Sequence, residues 1–367
     1  MLFVVGEASG DLHAGAVAAK IAVDRPDLHM VGIGGDRMRA AGVELIEHAE
    51  RLAVMGAVEI LRHIPAHYRL LHRLRDRMRS GSVAAVVLVD YPGFNMKVAA
   101  AAHAAGVPVL YYITPQVWAW GAGRLPKLAR LVSRAAVILP FEEALLRQHG
   151  INATFVGHPL LDRAETMPSR VEARAALGIG GDEPVLALFP GSRAQEISRH
   201  LAPFLATAAE VCRREPRTRV VISVAATVRI DERALPYPAV RNESFSVLRA
   251  ADAALCKSGT TTLEAAVAGC PLVVAYRTSG WTYAIARRVV RIPHIGLVNV
   301  VAGHQVAREF VQDALEPPAV ASALMPLLRH GTAEREVSLA GLAAVRDKLG
   351  EPGAATRVAQ MLSELAS

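Results

Sequence analysis

Short runs of apolar, often β-branched residues alternate along the whole chain with longer alanine-rich segments of helical spacing. This alternation constrains the fold more than any other feature, because it is typical of parallel sheets covered by helices on both faces. The predicted strands lie at residues 2–5, 29–33, 83–89, 107–113, 135–139 and 154–156 in the first half, and at 185–189, 219–224, 251–255 and 272–275 in the second.

The length of 367 residues indicates two compact domains, since a domain averages about 150 residues. The pattern breaks at residues 157–162, and polar residues with Pro168 then precede a new helix. We therefore predict a first Rossmann-like domain at 1–163 and a second at 164–344. A C-terminal helix, at about 345–367, is a candidate to pack back on the first domain.

Composition narrows the class of protein. Hydrophobic residues make up 52% of the chain, yet no apolar run approaches the roughly 18 to 20 residues of a membrane span. The N-terminus lacks the features of a signal peptide, so we expect a cytoplasmic protein. Cys212, Cys256 and Cys270 lack the close pairing of zinc sites, which indicates buried apolar roles. The net charge of +7 favours an anionic partner, with nucleic acid, anionic lipid and nucleotide diphosphate as alternatives.

Ligands of parallel α/β sheets bind beyond the carboxyl ends of the strands, so residues that follow strands are the candidate site. In the first half, residues 6–11 join a strand to a helix expected to start near Leu12. Ser9 or Asp11 can cap that helix. Asp90 follows a fully apolar strand and is a candidate general base, with Glu7 and His13 as rivals. A structural turn is the alternative at both junctions.

Two strand ends in the second half suit anionic ligands. Residues 190–193, with sequence Pro-Gly-Ser-Arg, combine amides at a helix start with a guanidinium that can bind a diphosphate. Residues 257–264 place hydroxyls and amides at another helix start, and Glu264 can reach ribose hydroxyls or favour the helix dipole. Two anion-binding loops opposite a carboxylate from the other half predict a nucleotide donor bound in a cleft, which is the layout of a transferase.

The motifs resemble those of the lipid-A-disaccharide synthases, inverting glycosyltransferases of lipid A assembly, nearly from end to end. The resemblance lies in Gly6-Glu7-Ala8-Ser9-Gly10-Asp11, Gly32-Ile33-Gly34-Gly35 with Arg37-Met38, Ala53-Val54-Met55-Gly56 with Val58-Glu59, Asp90-Tyr91-Pro92-Gly93-Phe94-Asn95, Pro115-Gln116-Val117-Trp118-Ala119-Trp120, Leu139-Pro140-Phe141-Glu142, Phe155-Val156-Gly157-His158, Pro190-Gly191-Ser192-Arg193 and residues 257–264.

The resemblance implies a GT-B architecture, two Rossmann-like domains whose parallel sheets face each other across a cleft. It also implies that UDP-2,3-diacylglucosamine and 2,3-diacylglucosamine 1-phosphate give a tetraacyl β(1→6) disaccharide 1-phosphate and UDP. Asp90 and Arg193 then become the essential residues, with Glu7 as a further catalytic candidate. The predicted substrate-binding and nucleotide-binding residues are Ser9, Gly10, Gly191, Ser192, Ser258, Gly259, Thr260, Thr261, Glu264, Asn299, Gln305 and Glu309. This chain has Leu297-Val298-Asn299 where the family often has Leu-Pro-Asn.

Such a transfer needs no resident metal or other cofactor, because Arg193 and helix-start amides can stabilise the departing diphosphate. The acyl chains of both substrates require contact with a lipid surface. Residues 61–80 carry six arginines and one aspartate, and Ile64, Tyr68, Leu71, Leu74 and Met78 share one helical face. Peripheral binding to the anionic inner membrane is one interpretation, and a core helix with a solvated basic face is the other. A homodimer is a candidate assembly.

Other interpretations stay open at this stage. Trp118 and Trp120 are candidates to line the acceptor pocket or to belong to the core. His158 fits a hinge or a loop hydrogen bond better than catalysis. A UDP-sugar epimerase or hydrolase would share the nucleotide loops, and a nucleic-acid-binding protein would share the positive charge but lacks a basic-aromatic module. The glycine spacing of NAD-dependent dehydrogenases is absent from the sequence.

Overall fold

The computed structural model describes residues 1–51, 57–119, 121–283 and 293–366. It divides into two compact units, which are described separately. Unit 1 comprises Met1–Pro159 together with Gly350–Ser367, and unit 2 comprises Leu160–Leu349. Both units are parallel α/β sheets, so the predicted fold class is confirmed.

Unit 1 contains a seven-stranded sheet with the order β3-β2-β1-β4-β5-β6-β7. Its strands are β1 (Leu2–Val5), β2 (Val31–Gly34), β3 (Glu44–His48), β4 (Val86–Val89), β5 (Val109–Tyr112), β6 (Arg134–Val137) and β7 (Ala153–Phe155). Its first helices are α1 (Ala8–Asp24), α2 (Asp36–Ala40), α3 (Ala57–Arg79), α4 (Pro92–Ala104), α5 (Leu125–Leu131) and α6 (Pro140–Gln148).

Alternate residues of the central strands enter two different cores, one on each face of the sheet. Leu2 and Val4 of β1 pack in one cluster, whereas Phe3 packs in the other, and all three are fully buried. Successive side chains of a strand point to opposite faces, so a strand that is apolar at every position needs helices on both sides. This explains why the alternation of apolar runs and helical segments predicts the fold.

Unit 2 contains a six-stranded sheet with the order β10-β9-β8-β11-β12-β13. Its strands are β8 (Val185–Phe189), β9 (Arg219–Val224), β10 (Ala239–Arg241), β11 (Ala253–Lys257), β12 (Leu272–Tyr276) and β13 (Arg308–Val311). Its helices are α7 (Leu160–Ala164), α8 (Arg170–Ala176), α9 (Ala194–Arg214), α10 (Ser244–Ala250), α11 (Thr261–Ala268), α12 (Leu297–Ala302), α13 (Pro317–Leu328) and α14 (Ala333–Lys348).

The last helix, α15 (Ala354–Leu365), returns to unit 1. Val358 and Leu362 of α15 are fully buried in the same cluster as Val17 and Ile21 of α1. The two ends of the chain therefore build one face of the unit 1 sheet together.

Strand order reverses between β1 and β4 in unit 1 and between β8 and β11 in unit 2. At such a switch point, the loops after the two neighbouring strands leave in opposite directions and open a crevice that binds ligands. The predicted site loops follow β1 and β4 in one unit and β8 and β11 in the other. The topology thus places all four loops at switch points.

The expected start of α1 and the expected role of Asp11 are wrong. Helix α1 begins at Ala8 rather than near Leu12, so Ser9 and Asp11 both lie inside it and neither is its N-cap residue. The Asp11 carboxylate accepts hydrogen bonds from the amides of Gly35 (2.6 Å), Arg37 (3.0 Å) and Met38 (3.2 Å). Asp11 therefore caps the start of α2, not of α1. The donors lie more than twenty residues away in sequence, so local spacing cannot reveal this contact.

The apolar face of α3 lies mostly in the core. Leu71, Leu74 and Met78 are buried, whereas Tyr68 is 52% exposed. The side chain of Ile64 lies outside the described part of the chain. Arg69, Arg73 and Arg79 are exposed, so the basic face is solvated. None of the helices in the described ranges is long and apolar enough to cross a membrane.

Candidate functional site

Asp90 lies at the carboxyl end of the central strand β4 in a fixed backbone conformation. Asp90 and Tyr91 both have φ 47°, a region that non-glycine residues seldom occupy. The Asp90 carbonyl accepts hydrogen bonds from Asn95 Nδ2 (2.7 Å) and the Tyr111 hydroxyl (2.8 Å). Asn95 and Tyr111 are fully buried. Buried polar groups thus set the direction in which the Asp90 side chain leaves the sheet.

Gly6 and Tyr91 join the loops that follow β1 and β4. A Cβ at Gly6 would lie 2.2 Å from Cγ of Tyr91, so only glycine admits the tyrosine ring. Burial and the nearby charge of Glu7 both raise the pKa of Tyr91. The Tyr91 hydroxyl is 3.1 Å from Nε2 of His67 on α3. Glu7 and Asp90 therefore belong to one cluster at the unit 1 switch point, and Tyr91 and His67 extend it.

Other predicted residues of unit 1 lie on α1 and after β7. Ser9 is exposed and Gly10 is buried in the first turn of α1. The His13 ring packs edge-on against Tyr112, with centroids 6.4 Å apart. His158 is buried, and burial together with His13 lowers the pKa of His158 to about 3. His158 is thus neutral at physiological pH.

Trp118 is anchored by a buried carboxyl group. Its indole nitrogen donates to Glu142 Oε1 at 2.9 Å, and its ring packs edge-on against Phe141. The other carboxylate oxygen, Oε2, accepts the amide of Leu139 at 3.1 Å. Burial raises the pKa of Glu142 to about 7 despite these donors. Trp120 and the motif at residues 53–56 lie outside the described residues.

In unit 2 the Pro190–Arg193 loop, named here the 190–193 loop, follows β8. Ser192 and Arg193 are exposed, and α9 begins directly after them. The Ser192 amide donates to Glu196 Oε2 (2.9 Å), and the Ser192 carbonyl accepts from the Thr227 hydroxyl (2.7 Å). Hydrogen bonds therefore hold the loop backbone on both sides of Ser192, next to the residue that carries the Arg193 guanidinium.

The loop after β11, named here the 258–260 loop, is tied to its surroundings by hydroxyl groups. Ser258 Oγ donates to the Ile295 carbonyl (2.6 Å), and Thr262 Oγ1 donates to the Gly259 carbonyl (2.8 Å). Thr260 is exposed at the start of α11 and Thr261 is half-buried. Ser258 and Gly259 are likewise only half-buried. The loop presents these residues on the same switch point as the 190–193 loop.

Glu264 is buried in α11 and is paired with a basic residue. Arg163 Nη1 lies 3.1 Å from Glu264 Oε1, and the Arg163 guanidinium lies 5.1 Å from the centre of the Phe245 ring. One carboxylate oxygen is thereby occupied, and the orientation of the carboxylate is fixed. Sequence spacing did not indicate Arg163, because 101 residues separate the two partners.

Asn299 and Glu309 bind each other and the start of α12. Asn299 is fully buried; its Nδ2 donates to Glu309 Oε1 (2.8 Å), and its Oδ1 accepts from the amides of Val306 and Ala307. Glu309 Oε1 also accepts the amide of Gly296 at 2.9 Å. Both side chains therefore shape the loop before α12, whereas Gln305 is exposed.

Val298 occupies the position at which the family often has proline. It is the second residue of α12, and its amide donates to Thr262 Oγ1 at 3.3 Å. A proline cannot donate this bond but fits the first turn of a helix. Among the described residues, no group of three or more His, Cys, Asp or Glu side chains could hold a metal ion.

Comparison with known proteins identifies the family. A family model described as lipid-A-disaccharide synthetase matches residues 1–357. The lipid-A-disaccharide synthase of Geobacter metallireducens is 41% identical over 374 residues, which cover 100% of this chain and 97% of that protein. The synthase of Anaeromyxobacter sp. is 41% identical over 98% of this chain and 96% of its own length.

Solved structures share the fold at low sequence identity. The glycosyltransferase of kitacinnamycin has a TM-score of 0.67 at 18% identity and covers 99% of this chain and 98% of its own. A UDP-GlcNAc 2-epimerase from Neisseria meningitidis, bound to UDP-GlcNAc, has a TM-score of 0.64 at 14% identity and covers 99% of each chain. These similarities concern the fold alone and do not separate transferase from epimerase. The family match separates the two, and we conclude that this chain belongs to the lipid-A-disaccharide synthases, a family of GT-B glycosyltransferases.

Proposed function

We propose that the protein transfers 2,3-diacylglucosamine from UDP-2,3-diacylglucosamine to the 6-hydroxyl of 2,3-diacylglucosamine 1-phosphate. The products are the β(1→6) lipid A disaccharide 1-phosphate and UDP, with inversion at the anomeric carbon. The observation that carries this proposal is the family match over residues 1–357, with the site loops at the switch points of both sheets. Unit 1 would bind the acceptor and unit 2 the nucleotide sugar.

Asp90 is the proposed general base. A carboxylate at a strand end can accept the proton of the attacking hydroxyl while that oxygen bonds to the anomeric carbon. The fixed backbone of Asp90 favours this role, because a base must be aimed accurately at the proton it removes. Glu7, in the neighbouring loop, would orient the acceptor, and Ser9 and Gly10 would line the same pocket.

Arg193 is proposed to neutralise the charge that develops on the departing diphosphate. A guanidinium can donate to two phosphate oxygens at once, and the rigid 190–193 loop supports that geometry. Residues Gly191 and Ser192, the 258–260 loop and Thr261 would contact the phosphates. Glu264, oriented by Arg163, would accept the ribose hydroxyls. Asn299, Gln305 and Glu309 would shape the nucleotide pocket, and no metal or other cofactor takes part in this proposal.

We further propose that the protein works in the cytoplasm at the surface of the inner membrane. The buried apolar face of α3 leaves Tyr68 and the exposed arginines as the groups that would meet anionic lipid. This contact is electrostatic and reversible.

The activity test supplies both proposed substrates to the purified protein and detects the disaccharide 1-phosphate by mass spectrometry. We expect product only when both substrates are present. Absence of product with authentic substrates would overturn the proposal. Conversion of the UDP-sugar without acceptor, to free sugar or to an epimer, would instead support the hydrolase or epimerase alternative.

A further inference from the structure

Lys257 is the last residue of β11 and lies between the 258–260 loop and the first turn of α9. Its Nζ lies 2.6 Å from Glu196 Oε1, and both side chains are only 17% exposed. The same Nζ lies 3.7 Å from the point where a Cβ on Gly259 would be. The ammonium group therefore sits between the 258–260 loop and the first turn of α9.

Glu196 connects this ammonium group to the 190–193 loop. Its second oxygen, Oε2, accepts the amide of Ser192 at 2.9 Å. Gly191 has φ 131°, and a Cβ there would lie 2.6 Å from Cβ of Glu196. The loop thus needs glycine at 191 so that the carboxylate can lie beneath it. Lys257, Glu196 and Ser192 form one chain of contacts that crosses the switch point.

The Glu196 carboxylate places a negative charge close to the loop that is proposed to bind the diphosphate. Burial is the largest single effect and raises the pKa of Glu196. The hydrogen bond and charge of Lys257, the Ser192 amide and the charge of Arg193 together outweigh it, so the pKa is lowered. Glu196 is therefore negatively charged close to Arg193. Without a neutralising partner, this charge would repel a diphosphate and attract Arg193 away from it.

We propose that Lys257 is a positioning residue for the diphosphate of the donor. It neutralises Glu196 and holds the carboxylate against the Ser192 amide. The 190–193 loop then keeps its shape, and Glu196 does not compete with the diphosphate for the Arg193 guanidinium. This inference rests on the proposed function, and it adds two residues, Lys257 and Glu196, that the loop motifs alone do not assign.

The test compares UDP with uridine, which has no phosphate. In Lys257→Met we expect the Kd of UDP to rise on the order of tenfold, because one charge is left uncompensated near the diphosphate. The Kd of uridine, measured by ligand-observed NMR, should not change. In the activity assay the KM for the donor should rise while kcat at saturating donor stays within about threefold.

A second substitution separates this role from a purely structural one. Lys257→Met combined with Glu196→Gln removes both charges, so the Kd of UDP should return to within about threefold of the wild-type value. Lys257→Arg keeps the charge and should bind UDP normally. The matched control is Arg219→Met, which removes the surface partner of Glu183 elsewhere in unit 2 and should leave UDP binding unchanged.

Four outcomes would contradict the proposals. Unchanged UDP affinity in Lys257→Met overturns the inference while leaving the proposed function intact. Equal weakening of uridine and UDP, or no recovery in the double variant, also overturns it and assigns Lys257 to folding of the loops. A wild-type protein that binds no UDP overturns the proposed function itself.

Discussion

Two consecutive residues after β4 have a backbone that costs about 1 to 3 kcal/mol per residue. Asp90 and Tyr91 keep this conformation because buried Asn95 and Tyr111 bind the Asp90 carbonyl. Such strain is found where a side chain must be held in one direction. The backbone geometry therefore favours a functional role for Asp90 over a purely turn-forming one.

Replacement of Asp90 by Asn should lower kcat by about 10²-fold to 10⁴-fold, since the amide cannot accept the hydroxyl proton. The Kd of UDP should stay within about twofold, because UDP is proposed to bind unit 2. Steady-state assays and calorimetry measure the two quantities. Asp36→Asn changes an exposed carboxylate of unit 1 and serves as the control. Wild-type turnover in Asp90→Asn would move the role of base to Glu7 or His13.

Glu142 gives unit 1 a group that titrates near neutral pH. Its pKa is raised from 4.5 to about 7, so the folded state binds more protons than the unfolded state between these values. The contribution of Glu142 to the free energy of unfolding therefore falls as pH rises through this window. Trp118 donates to this carboxylate, so its fluorescence should change with a midpoint near pH 7.

Fluorescence titration of two variants checks this assignment. Glu142→Gln should abolish the transition, whereas Glu143→Gln, at the neighbouring ion-paired carboxylate, should retain it. If Trp118→Phe keeps the transition unchanged, another tryptophan is its source.

At this scale the sequence could locate the candidate residues but not their partners. Asp90 and Arg193 follow predicted strands, and Glu264 lies in the first turn of a predicted helix. Sequence can locate them because ligands of parallel sheets bind where the strands end. Arg163 cannot be found in that way, because its pairing with Glu264 forms only on folding. The role of Glu196 is weakly indicated by sequence. An acidic residue three positions after the helix N-cap often accepts hydrogen bonds from the preceding backbone amides.

At the scale of elements, the strands that the sequence prediction missed share one property. β3, β10 and β13 all lie at sheet edges. Edge strands are covered less, so polar residues are tolerated and the apolar run that indicates a central strand is lost. β3, with sequence Glu-Leu-Ile-Glu-His, has no fully buried residue. The nine inner strands have apolar runs that sequence can detect, and β7 is the one edge strand among the described residues that the sequence also predicts.

One buried carboxylate, that of Asp252, connects α8 and the segment between α13 and α14 to the sheet of unit 2. Asp252 is 1% exposed and accepts from Arg170 (2.7 Å), His330 (2.8 Å) and the amide of Val185 (2.9 Å). Buried Arg174 approaches it to 3.5 Å. These partners come from α8, β8 and the segment between α13 and α14, so a single side chain joins three parts of the unit.

Asp252→Ala should therefore lower the free energy of unfolding by about 3 to 5 kcal/mol, because it leaves buried Arg174 without its counter-charge. Urea unfolding followed by circular dichroism measures the loss. Glu183→Ala removes the surface partner of Arg219 and should cost less than about 1 kcal/mol. Equal losses of unfolding free energy in the two variants would show that Asp252 stabilises the unit no more than a surface ion pair does.

At the scale of the whole molecule, the exposed arginines of α3 are proposed to bind an anionic lipid surface. The wild-type protein should float with vesicles of phosphatidylcholine that contain phosphatidylglycerol, and less so as salt increases. Reversal of the exposed residues Arg69, Arg73 and Arg79 to Glu should abolish flotation.

Reversal of Arg213, Arg217 and Arg219 on unit 2 is the matched control, since it removes the same charge from another exposed surface. Flotation should persist in that control. If both triple variants float like the wild type, α3 is not the lipid contact.

The return of α15 to unit 1 has a consequence for synthesis. Residues 350–367 leave the ribosome after all of unit 2, yet they complete the face of the sheet that α1 begins. The side of α1 that packs against α15, with Val17 and Ile21, lacks this partner while the intervening 190 residues are translated. Unit 2 can thus fold as the nascent chain grows, whereas the first unit to be started is the last to be finished.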